Sequence, residues 1–267
     1  MHSRAYAAID AAREEFRRLV EEWSDENPYL LDAQERLRKK LGYDDYRVET
    51  PIVYNGALDD ISRGDEIKVV LVADNPGKRE QLAANRRYLV GQSGKLAEGW
   101  FGRELGVDFR REVLILNKTP VHTPKTAELA LLPKSSGGRG DEVSALIAGS
   151  QAAMADIAWR LYRALRAGRR RARGGTAGAG GSSPWPVLWI SGVGELKPRG
   201  LFATYRDELF RRLEAAEEDE RGGTWAFNHF SMNQFSVELK RKARPSAPHL
   251  DELARIGVEN RERVFGI

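Results

Sequence analysis

The chain has 267 residues, with 43 Lys and Arg against 39 Asp and Glu, a net charge of +4 and a pI near 9.3. It has no cysteine, which excludes disulfides, iron–sulfur clusters and cysteine-ligated zinc, and its four histidines (His2, His122, His229, His249) are too few to suggest a histidine-built zinc site. No run approaches a membrane span and Met1–Val20 lacks the apolar core of a signal peptide, so a cytoplasmic, nucleoid-associated protein with no cofactor and no metal is expected.

In chain order, Ala11, Phe16, Leu19, Val20 and Trp23 recur at helical spacing, Asp25-Glu-Asn-Pro28 breaks the pattern, and Leu30–Lys40 resumes it. Residues 1–50 therefore read as a helical N-terminal extension. Ile67–Ala73 is a β-branched apolar run ended by Asp74-Asn-Pro-Gly77, as suits a strand buried on both faces. A second run, Val113–Leu116, ends at Asn117. A third, Val187–Ile190, ends at Ser191-Gly192, and a weaker fourth, Thr224–Phe227, ends at Asn228-His229. Helical stretches over 142–166 and 205–217 lie between them. The alternation predicts an α/β fold: a three-layer α/β/α sandwich around a central, mostly parallel four-stranded sheet, with residues 1–267 as one domain. Residues 166–184, rich in Arg, Gly and Ser, read as a flexible insertion. Its basic part is either a phosphate contact or a surface insertion of no function.

In an open parallel sheet, ligands bind beyond the carboxyl ends of the strands. Asp74, Asn75, Asn117, Ser191 and His229 fall at those ends. Each alone is an ordinary turn residue; their joint placement points to a site.

Four segments, in order, resemble the uracil-DNA glycosylase superfamily. Ala73-Asp-Asn-Pro-Gly77 is similar to its first-strand motif, G-x-[DN]-P-G or G-E-x-P-G. Arg87-Tyr-Leu-Val-Gly-Gln-Ser-Gly-Lys-Leu96 resembles the R-P-F-V-G-x-S-G-x-L segment of the thermostable branch. Leu114-Ile-Leu-Asn117 matches an apolar strand ending in Asn, and His229-Phe-Ser-Met-Asn-Gln234 stands where the family has an H-P-S-P-like loop. The chain departs from the pattern at Ala73 and Phe230. It also lacks the cysteines that bind the thermostable branch's cluster, which implies a divergent branch.

The resemblance implies a hydrolase of base-excision repair that flips uracil, or a related deaminated or 5-modified base, out of single-stranded or mismatched DNA. It implies a monomer. His229 would donate a hydrogen bond to the departing base, and Asn117 would read its edge. Asp74 and Asn75 compete for positioning the water; a carboxylate is the better base, while an amide only orients. Gly77 stands where the uracil-specific branch has a bulky Tyr, implying a wider pocket. Leu89 aligns with the ring that stacks on the base, leaving Tyr88 as the nearest aromatic; Trp100 and Phe101 read as core. Ser231, Met232, Asn233, Gln234, Ser191, Lys240 and Arg241 would contact DNA, with the wedge that fills the gap in the duplex lying within Met232 to Phe235. Lys118, His122 and Lys125 lie near the same mouth without an assigned role. The rival expectation is a nucleic-acid-binding member of the same superfamily that has lost turnover.

Overall fold

The four apolar runs form four strands: β1 (Val69–Ala73), β2 (Val113–Asn117), β3 (Val187–Ser191) and β4 (Thr224–Phe227). The computed structural model describes residues 1–172, 184–244 and 247–267. Every strand residue is buried, which is why the strands read as unbroken apolar runs instead of alternating ones. The sheet order is β2-β1-β3-β4 and every pairing is parallel, with Leu71 opposite both Ile115 and Trp189, and Trp189 opposite Trp225.

Helix α3 (Gln92–Leu105) links β1 to β2, and α4 (Gly140–Ala172) links β2 to β3. Helices α5 (Ala203–Glu214) and α6 (Glu218–Gly222) link β3 to β4; α7 (Gln234–Lys242) and α8 (His249–Phe265) follow. The chain steps from β1 outward to β2, then back across β1 to β3. The β1–β3 boundary is therefore the switch point, where a crevice opens at the carboxyl ends.

Helices cover both faces of the sheet. Strand period places Trp189, Trp225 and Phe227 on one face, under Trp100 and Phe101 of α3, Phe235 of α7 and Gly257 of α8. The opposite face is covered by α4, with α5 packed alongside it. The N-terminal helix α1 (Ser3–Glu26) lies on α4 and buries Ala5, Ile9, Ala12, Phe16 and Val20, a stripe at helical spacing. Helix α2 (Leu30–Lys40) is anchored by Gln34, whose amide donates to the carbonyls of Pro51 and His122. The N-terminal helices are thus packed into the domain.

One boundary differs from the sequence expectation. The first part of the expected flexible insertion is helical, because α4 continues to Ala172. Arg166 explains part of this: its guanidinium donates to Asp219 and to the carbonyl of Pro186, tying the last turns of α4 to α6 and to the start of β3. Residues 173–183 of that expectation lie outside the described residues.

Candidate functional site

All four post-strand loops meet around one cleft of about 710 Å³. Asp74, Asn75 and Gly77 enter from β1, Thr123–Ala127 from the β2 loop, Gly192, Gly194 and Glu195 from β3, and Asn228 and His229 from β4. The volume falls within the range of small-molecule pockets.

Asp74 stands at the switch point. Its Oδ1 accepts from the Nζ of Lys118 at 2.5 Å, and its Oδ2 lies 3.4 Å from the Thr126 hydroxyl. Lys118 is fully buried and also donates to the Ser191 carbonyl. Burial lowers the Lys118 ammonium from its ordinary range, while the Asp74 carboxylate opposes that shift. Sequence reading gave Lys118 no role; burial of a lysine depends on a partner from another strand, which local pattern does not reveal.

Asn75 also lines the cleft, but its amide nitrogen is committed. It donates to the Thr123 hydroxyl at 2.9 Å and to the Val121 carbonyl at 3.3 Å. His122 braces the same turn: its Nδ1 bonds the Pro76 carbonyl at 2.9 Å, and burial lowers its imidazole to about 4. These bonds lock the Asp-Asn-Pro-Gly turn onto the loop after β2.

His229 has a defined tautomer. The backbone N–H of Ser231 donates to its Nδ1 at 3.0 Å, and the Ser231 hydroxyl lies 2.7 Å from the same atom. An accepting Nδ1 places the proton of the neutral ring on Nε2, making that atom a donor. Burial lowers the His229 imidazole below its ordinary range, with Asp74 opposing and Lys118 adding to the shift. The cleft therefore holds a neutral histidine whose proton sits on Nε2.

The segment before α3 forms the apolar wall. Leu89 lines the cleft at a positive φ of 53°. Its backbone rests on Gly94 so closely that any Cβ there would overlap the Leu89 carbonyl, which accounts for the Gly of the Gly-Gln-Ser-Gly turn. Glu80, which sequence reading missed, also lines the cleft. Its Oε2 accepts from the Gly77 N–H at 3.1 Å and its Oε1 from the Leu89 N–H at 2.9 Å, clasping the two ends of the 77–90 loop together. Burial pushes its carboxyl up to about 7 against those backbone donors. The available signal was spacing: a Glu three residues after Gly77 reaches back to its N–H as in a capping box.

Tyr88 does not supply the stacking ring. It is fully buried, and its hydroxyl donates to the Val53 carbonyl at 2.6 Å, so it packs inward while its neighbour Leu89 faces the cleft. Trp100 and Phe101 are core residues against Trp189. Asn117 is off the wall as well: it is buried at the last position of β2, and its Nδ2 has no hydrogen-bond partner. Ser191 does not line the cleft: it is buried at the last position of β3, its hydroxyl without a partner; the next residue, Gly192, is the one that reaches it.

The rim carries Lys78, Arg79 and Lys125 beside Glu195. Lys78 pairs with Asp45 at 2.8 Å and lies 4.3 Å from the Tyr43 ring centre. Ser231, Met232 and Gln234 line the β4 side, and Met232 is 86% exposed at a positive φ of 51°. Asn233, also left-handed at 56°, stands off the wall, and Lys240 and Arg241 are exposed on α7 outside the cleft.

Among the described residues, no cluster of His, Asp and Glu is arranged to hold a metal ion, and no helix is long and apolar enough to cross a membrane. Compared with known proteins, the chain matches no protein-family model and no curated sequence.

Proposed function

We propose that this chain is a DNA-base glycosylase that hydrolyses the N-glycosidic bond of uracil, or of a related deaminated or 5-substituted base, flipped out of DNA. One observation carries the reading. Asp74 and Asn75 after β1 and His229 after β4 share one cleft, large enough to admit a base, with an apolar wall at Leu89.

The chemistry follows from the groups present. A base extruded from the stack enters the cleft against Leu89. Bond cleavage builds negative charge on the leaving base, and His229 Nε2–H is a preorganised donor to that charge. Positive charge builds on the sugar, where the Asp74 carboxylate stabilises it and positions the water. Asp74 takes this role over Asn75, because a carboxylate can act as the base while an amide only orients water. Gly77 leaves room for a substituted base: a Cβ built there has the Pro124 carbonyl at 4.0 Å as its nearest neighbour. Met232 is the wedge that replaces the flipped base, and Lys78, Arg79 and Lys125 meet phosphates. A monomer acting on DNA in the cytoplasm, at the nucleoid, belongs to the same proposal.

The test is a panel of oligonucleotides bearing uracil, 5-hydroxymethyluracil, hypoxanthine or xanthine, assayed for alkali-labile sites with wild type, His229→Ala and Asn75→Ala. Release of a pyrimidine base, slowed about 100- to 1000-fold by His229→Ala, is the expected result. The second reading, a nucleic-acid binder without turnover, is favoured by Asn117 lying off the cleft wall. It predicts a gel shift with no alkali-labile sites from any of the four substrates.

A further inference from the structure

Lys118 is a buried charge that the mechanism above leaves unused. It directly follows Asn117 at the end of β2, is fully buried, and has its Nζ 4.8 Å from the Phe202 ring centre. Replacing a buried ion pair with well-packed apolar residues is commonly neutral or stabilising. Fold stability alone therefore does not call for a lysine here, and its partner is a carboxylate at the switch point of the sheet.

The geometry points to Lys118 as a positioning residue that sets the direction of the Asp74 carboxylate in the cleft. The ammonium engages Oδ1 and leaves Oδ2, beside the Thr126 hydroxyl, for water or ligand. Through Asp74 and the Ser191 carbonyl it also ties the loop after β1 to the end of β3. The other charged or titratable groups acting on the pair are His229, which feels both partners, and Glu195, which acts on Lys118. A role in turnover rests on the glycosylase reading; the coupling of Lys118 to Asp74 does not.

A double-mutant cycle tests this: wild type, Lys118→Met, Asp74→Asn and the double variant, with single-turnover base release from a uracil-bearing single strand. Displacing a reacting group by an ångström costs about 100-fold, so Lys118→Met is expected to slow release by about that factor. Asp74→Asn slows it at least as much. The double variant matches Asp74→Asn within about twofold, because Lys118 then has no carboxylate to direct. A lysine that only supports the fold would multiply its own loss into the Asp74→Asn background, and that result overturns the proposal; so does a Lys118→Met rate equal to wild type. If Lys118→Met does not fold, a folded double variant upholds the coupling and an unfolded one overturns it. If wild type releases no base, the glycosylase reading falls by itself. Urea midpoints of the same four proteins then decide the coupling. A midpoint lost in Lys118→Met and recovered in the double variant upholds it, and a loss that persists in the double variant overturns it.

Discussion

Gly192 lies directly against the carboxylate of Asp74. A Cβ on Gly192 would overlap Oδ1 and come within 3.1 Å of Cγ, and the backbone there is left-handed, with φ at 82°. The loop after β3 therefore has a glycine for two separate reasons, close approach and positive φ. Gly192→Ala is expected to displace Asp74 and, on the glycosylase proposal, to slow base release about 100-fold. Gly194→Ala, in the same loop with open space around its Cβ and no positive φ, is the control for loop stability, read by thermal unfolding.

His229 and Ser231 separate two contributions. His229→Ala removes the Nε2–H donor and is expected to cost about 100- to 1000-fold in base release. Ser231→Ala keeps the backbone N–H that sets the tautomer, so its loss is expected to stay under about tenfold. Because burial lowers the imidazole from 6.5, the neutral donor persists as pH falls through that value. The rate for wild type should accordingly hold through pH 6.5 and fall only on further acidification.

His122 makes folding stability depend on pH. The folded state holds it neutral, with its imidazole lowered from 6.5 to about 4 and its Nε2 buried without a partner. A depressed folded value means that the stabilisation is complete above pH 6.5 and is lost as pH falls toward 4. The loss is about 3 kcal/mol at about 1.4 kcal/mol per pH unit. Urea unfolding at pH 7.5 and 4.5 measures it, and His122→Gln is expected to flatten this part of the dependence.

Tyr88→Phe distinguishes packing from stacking. The variant leaves the buried Val53 carbonyl without its donor, at a cost of about 1–3 kcal/mol. Base release per folded molecule should be unchanged. A fall in kcat with unchanged stability would return Tyr88 to the cleft.

Met232→Ala should do the reverse. An 86% exposed side chain contributes little to folding, so stability should stay within about 0.5 kcal/mol. On the glycosylase proposal, base release from duplex DNA is expected to fall about tenfold, because a flipped base would leave a gap that needs filling. Release from a single strand, which has no such gap, should fall much less.

The sheet and the candidate cleft were not equally legible. Runs such as Val69–Ala73 announce themselves because a strand buried on both faces admits only apolar residues, and Asp-Asn-Pro-Gly announces its end because those residues make turns. The local chain thus determined the four strands, their ends and the short loops where chemistry would gather. Which way each strand-end side chain turns was decided elsewhere. Tyr88 and Leu89 are neighbours of similar apolar character, yet one is held inward by the Val53 carbonyl and the other faces the cleft at a left-handed φ. Asn117 and Lys118 divide likewise: an amide buried without a partner on Nδ2, and an ammonium carried to a carboxylate 44 residues earlier. Hydrophobic pattern is written in neighbours along the chain, whereas the pairing of a buried charge is written in strand order, and only the β2-β1-β3-β4 arrangement brings Asp74, Lys118 and Gly192 to one point.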